Sequence, residues 1–281
     1  MSATFGPAGN CDRFKNEGYK KTIQAMKWLC DLGLDSYEYQ CGNGVTAGLE
    51  TLSEIGTEAQ KYGIHMSLHA PYYISLSGVV PEKRLKSIDY ITQSVEAANA
   101  LGAKKVVIHT GSAAKISRSE AMDLARDTLW KALESVPHPD VALGLETMGK
   151  ENQLGTLEEV LDLCTLDKRL HPVVDFGHLN ARNVGGLFVT ADDYRRVFNT
   201  VAEKLGDEYA DTMHCHFSKI AYTEKGEKNH LTFEDTVFGP PFEPLMEAIV
   251  REGVSPNIIC ESAGTQADDA LAMKTYYNSV R

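Results

Sequence analysis

A chain of 281 residues, 43% hydrophobic and 24% charged, holds either two modest domains or one large α/β domain with ample core. It has no run of about 18 or more apolar residues, which excludes a membrane-spanning helix, and its opening MSATFGPAGN lacks the basic-then-apolar pattern of a secretory leader. A net charge of −11 argues against a general polyanion binder, although bound dications would locally reverse that balance.

Short apolar runs alternate with longer amphipathic stretches. The strands expected in chain order are Ala3–Gly6, Ser36–Gln40, His65–His69, Lys105–His109, Ala142–Glu146, Pro172–Asp175, Thr212–Phe217 and Asn257–Glu261. Helical patterns lie at Tyr19–Leu32, Val45–Tyr62, Glu82–Leu101, Ser117–Ser135, Thr156–Cys164, Ala191–Leu205, Phe242–Arg251 and Ala267–Tyr277. Their apolar residues recur three and four apart, as in Ile88, Ile91, Val95, Ala98 and Leu101. Ser117-x-x-Glu120 and Thr156-x-x-Glu159 read as capping boxes. Eight such strand–helix units call for a parallel sheet that closes into a single (β/α)8 barrel spanning residues 1–281, with its functional residues at the C-terminal ends of the strands. A doubly wound open sheet is the alternative, but no GxGxxG follows any strand.

Ligand-type residues gather at those strand ends. His69 closes IHMSLH, His109 closes KKVVIH, Glu146 closes VALGLE and Glu261 closes NIICE; Asp175 and His178 share VVDFGH. His214 and His216 lie on one face of the seventh strand, so one suits a metal ion and the other substrate or an outer contact. His230 falls in the long loop after that strand, and Tyr72 in the loop after His69. Imidazole with carboxylate suits zinc, manganese or iron rather than a thiolate site. His65 reads as a core histidine, and His138 and His171 as surface residues. The six cysteines show no CxxC pair and read as reduced, buried thiols of a cytoplasmic protein.

The ordered series His69 (HAPY), His109 (HTG), Glu146 (ET), Asp175-x-x-His178, His214 (HCHFSK), His230 and Glu261 (ES) resembles the endonuclease IV family of apurinic/apyrimidinic endonucleases. The wider group of xylose-isomerase-like barrels keeps a quartet around one metal, here Glu146, Asp175, His214 and Glu261; His69, His109 and His230 are the additions of the repair enzymes. The resemblance implies two or three zinc ions. Glu146 would bridge, His69 and His109 would complete one site, Asp175, His214 and Glu261 a second, and His178 and His230 a third. It also implies damaged DNA as partner, Tyr72 beside the lesion, and incision 5′ to an abasic site with Glu146 or Glu261 orienting the nucleophile. The sequence departs from the family in three places. Lys228 stands where an Asp usually precedes the third-site histidine, leaving Glu227 or His216 to supply that ligand. The first-strand histidine is absent, and YEYQCGNGV lacks the arginine wedged into the duplex.

Two other functions compete. A sugar isomerase or epimerase would use the quartet around one divalent metal, with Glu146 and Glu261 transferring protons. A non-catalytic barrel would only bind metal or damaged nucleic acid.

Overall fold

The structure, a computed structural model, describes residues 2–281. Eight parallel strands follow one another around the barrel: β1 (Thr4–Pro7), β2 (Ser36–Gln40), β3 (His65–His69), β4 (Lys105–His109), β5 (Ala142–Glu146), β6 (Leu170–Asp175), β7 (His214–Phe217) and, after a small hairpin, β10 (Asn257–Cys260). β10 pairs with both β7 and β1. The ring closes between β1 and β2 through the Ala8–Glu38 bridge and the bond from Gly9 N to Glu38 O at 3.0 Å. Gly6 makes that approach feasible, because a Cβ there would lie 1.7 Å from Ser36 O.

Helices α2 (Ile23–Leu32), α3 (Leu49–Tyr62), α4 (Pro81–Ala100), α5 (Arg118–Ser135), α6 (Leu157–Cys164), α8 (Ala191–Leu205), α10 (Glu243–Glu252) and α11 (Gln266–Val280) form the outer layer, with short helices α1 (Asp12–Asn16), α7 (Phe176–Arg182) and α9 (Asp207–Asp211) between. Both expected capping boxes form, at Ser117 and Thr156. The outer layer is held by apolar stripes. On α8, Tyr194, Val197, Phe198 and Val201 are buried, each such side chain contributing about 1.5–3 kcal/mol against exposure. The Phe188 and Tyr194 rings stack at 4.6 Å, beside Phe176.

The strands are buried on both faces, but the two faces differ. Outward residues such as Leu68, Val106, Ile108, Leu143 and Leu145 are apolar and meet the helices. The inward face instead buries Ser36, Glu38, Ser67, His69, Glu146, Asp175, His214 and His216. Barrels of this kind usually fill that space with branched apolar side chains, so the polar lumen requires partners for its charges.

The structure departs from the sequence expectations at several residues. His230 lies not in a loop but on β9 (Gly226–His230), paired antiparallel with β8 (Ile220–Thr223). His178 sits in α7 rather than in a turn, because Asp175 caps that helix by accepting from His178 N at 2.7 Å. His65 has the parity of His69 but is exposed at the open floor of the barrel, so it is no core residue. His171 is on β6 against Tyr209, and Cys30 is an exposed thiol among otherwise buried ones.

Candidate metal centre

Register puts the ligand-type residues side by side. Gln40 pairs with His69, His109 with Glu146, and Asp175 with His216. Each closes an inward-facing row, and the barrel's stagger gathers the rows at one mouth.

Glu146 stands at the middle. Its Oε2 lies 3.4 Å from His69 Nε2 and 3.2 Å from His109 Nε2. Its Oε1 lies 3.0 Å from His216 Nδ1 and 3.4 Å from His178 Nδ1. One buried carboxylate thus faces four imidazoles, two from each oxygen. Burial opposes its charge, but His216, His109 and His178 outweigh that and hold its pKa well below the ordinary value.

Three groups of donors surround it, each with its ligand atoms within 4.8 Å of one another: His69, His109 and Glu146; Glu146, Asp175, His216 and Glu261; His178, Glu227 and His230. Hydrogen bonds orient the rings. His69 Nδ1 donates to Ala70 O at 2.9 Å, which turns Nε2 toward Glu146. His178 Nδ1 donates to Thr147 O at 2.9 Å, which turns Nε2 toward Glu227, 3.6 Å away. His230 Nδ1 meets Ser218 Oγ at 2.8 Å. Histidines that bind metal characteristically give their other ring nitrogen to such a partner.

A cation fits this donor set. Asp175 Oδ2 is buried with no hydrogen-bond partner, a position that protein alone leaves unsatisfied. Burial pushes the Glu261 carboxyl up, and the neighbouring Glu146 and Asp175 add to that against His216 and His230. Burial pulls His69 down, yet Glu146 beside it prevails and lifts its pKa to about 9. A dication would relieve the repulsion among the carboxylates and take the place of that proton.

The third group depends on a close approach. Gly226, at φ 87°, lies against Gly149, where a Cβ on Gly226 would come within 2.1 Å of Gly149 O. Glu227 N donates to that oxygen at 3.0 Å, so β9 is clamped to the loop after β5 with Glu227 directed at His178. Lys228 is exposed.

His216, not His214, joins Glu146, Asp175 and Glu261. His214 is one inward position deeper and bonds Glu38 Oε2 through Nε2 at 3.0 Å. Glu227, not His216, accompanies His178 and His230. Glu38, buried in mid-strand, escapes sequence reasoning altogether. Tyr72 is 58% exposed, its ring 5.5 Å from that of His69 and 5.7 Å from that of His109, overhanging the mouth.

The family model for xylose isomerase-like TIM barrels matches residues 26–276. An uncharacterized protein of Methanocaldococcus jannaschii is 30% identical over 258 residues, 90% of this chain and 91% of its own. A probable endonuclease 4 of Mycoplasma genitalium is 31% identical over 222 residues, 76% of this chain and 72% of its own. Among solved structures, endonuclease IV from Thermus thermophilus superposes with a TM-score of 0.69 at 18% identity, covering 93% of this chain and 96% of its own. A 3-keto-D-glucoside 4-epimerase from E. coli has the same TM-score of 0.69 at 16% identity, covering 100% and 99%. These structural likenesses establish the barrel and do not separate nuclease from epimerase.

Proposed function

The chain belongs to the xylose isomerase-like TIM barrel family, with endonuclease IV among its sequence relatives, and on that basis we propose that it is a metal-dependent phosphodiesterase that incises DNA 5′ to abasic sites. The observation that supports this most is the place of Glu146 among four imidazoles, shared between two donor groups with a third alongside. A single-ion sugar enzyme needs only Glu146, Asp175, His216 and Glu261. His69, His109, His178, Glu227 and His230 are surplus to that chemistry.

Zinc suits this imidazole–carboxylate set, and manganese or iron fits the same donors. Dications held in such a cluster lower the pKa of water, orient a phosphodiester and neutralise charge on the leaving oxygen. His69 and His109 with Glu146 would hold one ion, Asp175, His216 and Glu261 with Glu146 a second, and His178, Glu227 and His230 a third. Glu146 or Glu261 would orient the attacking water. Tyr72 and Tyr73, 58% and 50% exposed, offer the faces on which an extruded nucleotide or its neighbours stack, in place of an inserted arginine. Incision leaves a 3′ hydroxyl. The buried free thiols Cys11, Cys41, Cys164, Cys215 and Cys260 agree with a reducing, cytoplasmic setting, and no described helix is long and apolar enough to cross a membrane.

The test is a duplex carrying one synthetic abasic site, incubated with zinc-loaded protein. A single nick 5′ to the site supports the reading, and an intact duplex beside folded, metal-loaded protein overturns it. The quartet is complete by itself, which favours ketose epimerisation as the second reading; conversion of a ketose by the same preparation would establish it.

A further inference from the structure

Glu38 lies wholly buried at the middle of the barrel lumen, and both of its oxygens accept hydrogen bonds. Its Oε2 accepts from Ser67 Oγ at 2.8 Å and from His214 Nε2 at 3.0 Å. Its Oε1 accepts from Gln40 Nε2 at 3.2 Å and lies 3.1 Å from His216 Nε2, off the line of that ring N–H. His216 Nε2 has no better partner.

These contacts fix where the ring protons sit. An ionised carboxylate only accepts, so His214 carries its hydrogen on Nε2 and leaves Nδ1 as an acceptor. Asn257 Nδ2 donates to that Nδ1 at 3.2 Å. The Asn257 amide is fixed in turn, because its Oδ1 accepts from Ser36 Oγ at 2.6 Å and Thr4 Oγ1 at 2.9 Å. Hydrogen bonds therefore cross the lumen from β1 and β10 through β7 to Glu38 on β2, whose Oε1 stands 3.1 Å from His216 Nε2. On His216, Nδ1 faces Glu146 at 3.0 Å and Glu261 at 3.6 Å, while Nε2 faces Glu38.

We infer that Glu38, itself held by His214 and Asn257, is a positioning residue that keeps the hydrogen of His216 on Nε2 and aims Nδ1 at the ion shared with Glu146, Asp175 and Glu261. The inference rests on the metal-centre reading above. A carboxylate behind a metal-bound histidine fixes its tautomer and raises its basicity, and losing one ordinarily weakens metal binding by about 10–100-fold. Glu38, His214 and His216 also lie close enough to hold an ion among themselves. The proton that Glu38 demands on His214 Nε2 argues against that arrangement.

Glu38→Gln tests the role by chelator competition on the zinc-loaded protein and by the visible spectrum of its cobalt(II) form. One ion should be held about 10–100-fold more weakly with an altered cobalt band, while the ions on the other two donor groups keep their affinities. Unchanged affinities and an unchanged spectrum overturn the inference and leave the metal centre standing. Wild-type protein that binds no ion overturns both. Should the variant not fold, long-range proton–nitrogen NMR of the wild-type histidines decides. Nε2–H tautomers at both His214 and His216 support the role, and a hydrogen on His216 Nδ1 or a bare His214 Nε2 overturns it.

Discussion

Glu146 Oε1 and His216 Nδ1 meet at 3.0 Å although 70 residues separate them in the chain. That contact joins the donors of β3 and β4 to those of β6, β7 and β10, so the mouth is one cluster rather than two neighbouring sites.

Because Glu146 belongs to two donor groups and His230 to one, their losses should differ. Glu146→Gln removes several kcal/mol of charge stabilisation, hence on the order of 10³-fold in kcat on abasic duplex. His230→Ala, which touches a single ion, should cost about 10–100-fold, the scale of a weakened metal site. Equal losses in a single-turnover assay would contradict the bridging role.

Glu227 rather than Lys228 completes the third group, since β9 directs Glu227 inward and leaves Lys228 exposed. Glu227→Ala should lower bound metal by about one ion per chain, and Lys228→Ala should leave it unchanged. Loss of metal from the lysine variant would show that β9 is threaded in a different register.

Much of this candidate centre is legible because parallel strands end in turns at one mouth, so an apolar run that stops at His, Asp or Glu marks a candidate ligand position. His69, His109, Glu146, Asp175 and Glu261 were found that way. His214 and His216 share a face, and parity alone cannot say which stands higher; the pairing of Asp175 with His216 decides it. Glu38 was missed because SYEYQ reads as an ordinary alternating strand, and its partner His214 lies 176 residues away. The hairpin was missed because GEKNH is polar and poor in strand-forming residues; backbone pairing with β8 and with the Gly149–Lys150 segment makes it a strand. The first turn of α7 was hidden for a different reason. Its cap, Asp175, reads from sequence as a ligand; Oδ1 caps the helix while Oδ2 has no hydrogen-bond partner and stays free for the donor group.

Val184 adopts φ 57°, the left-handed position after α7, with its N–H bonded to Ala181 O at 3.0 Å and Gly185 N to Asn180 O at 2.8 Å. A β-branched residue there costs about 1–2 kcal/mol relative to one that tolerates the conformation. Val184→Gly should therefore raise the melting temperature by about 2–4 °C. A lower melting temperature would mean that the half-exposed Val184 side chain makes a contact worth more than the strain.

Asp167 accepts from the Arg169 guanidinium at 2.9 Å and from Arg169 N at 2.9 Å, and its pKa falls to about 2, the Arg169 side chain being the largest cause. A depressed carboxyl stabilises the fold fully above its unfolded pKa of 3.8 and loses that contribution as pH falls through the folded value. Asp167→Asn should lower the urea midpoint at pH 7, with the gap from wild type narrowing below about pH 4 and closing toward pH 2. A gap independent of pH would remove the ion pair from the explanation.

The number of ions the mouth holds distinguishes the proposed centre from a single-ion site. Elemental analysis of protein saturated with zinc and freed of loose metal measures this directly. Three donor groups gathered around Glu146 predict a value close to three ions per chain; a value of one, carried by Glu146, Asp175, His216 and Glu261 alone, would contradict the proposed centre.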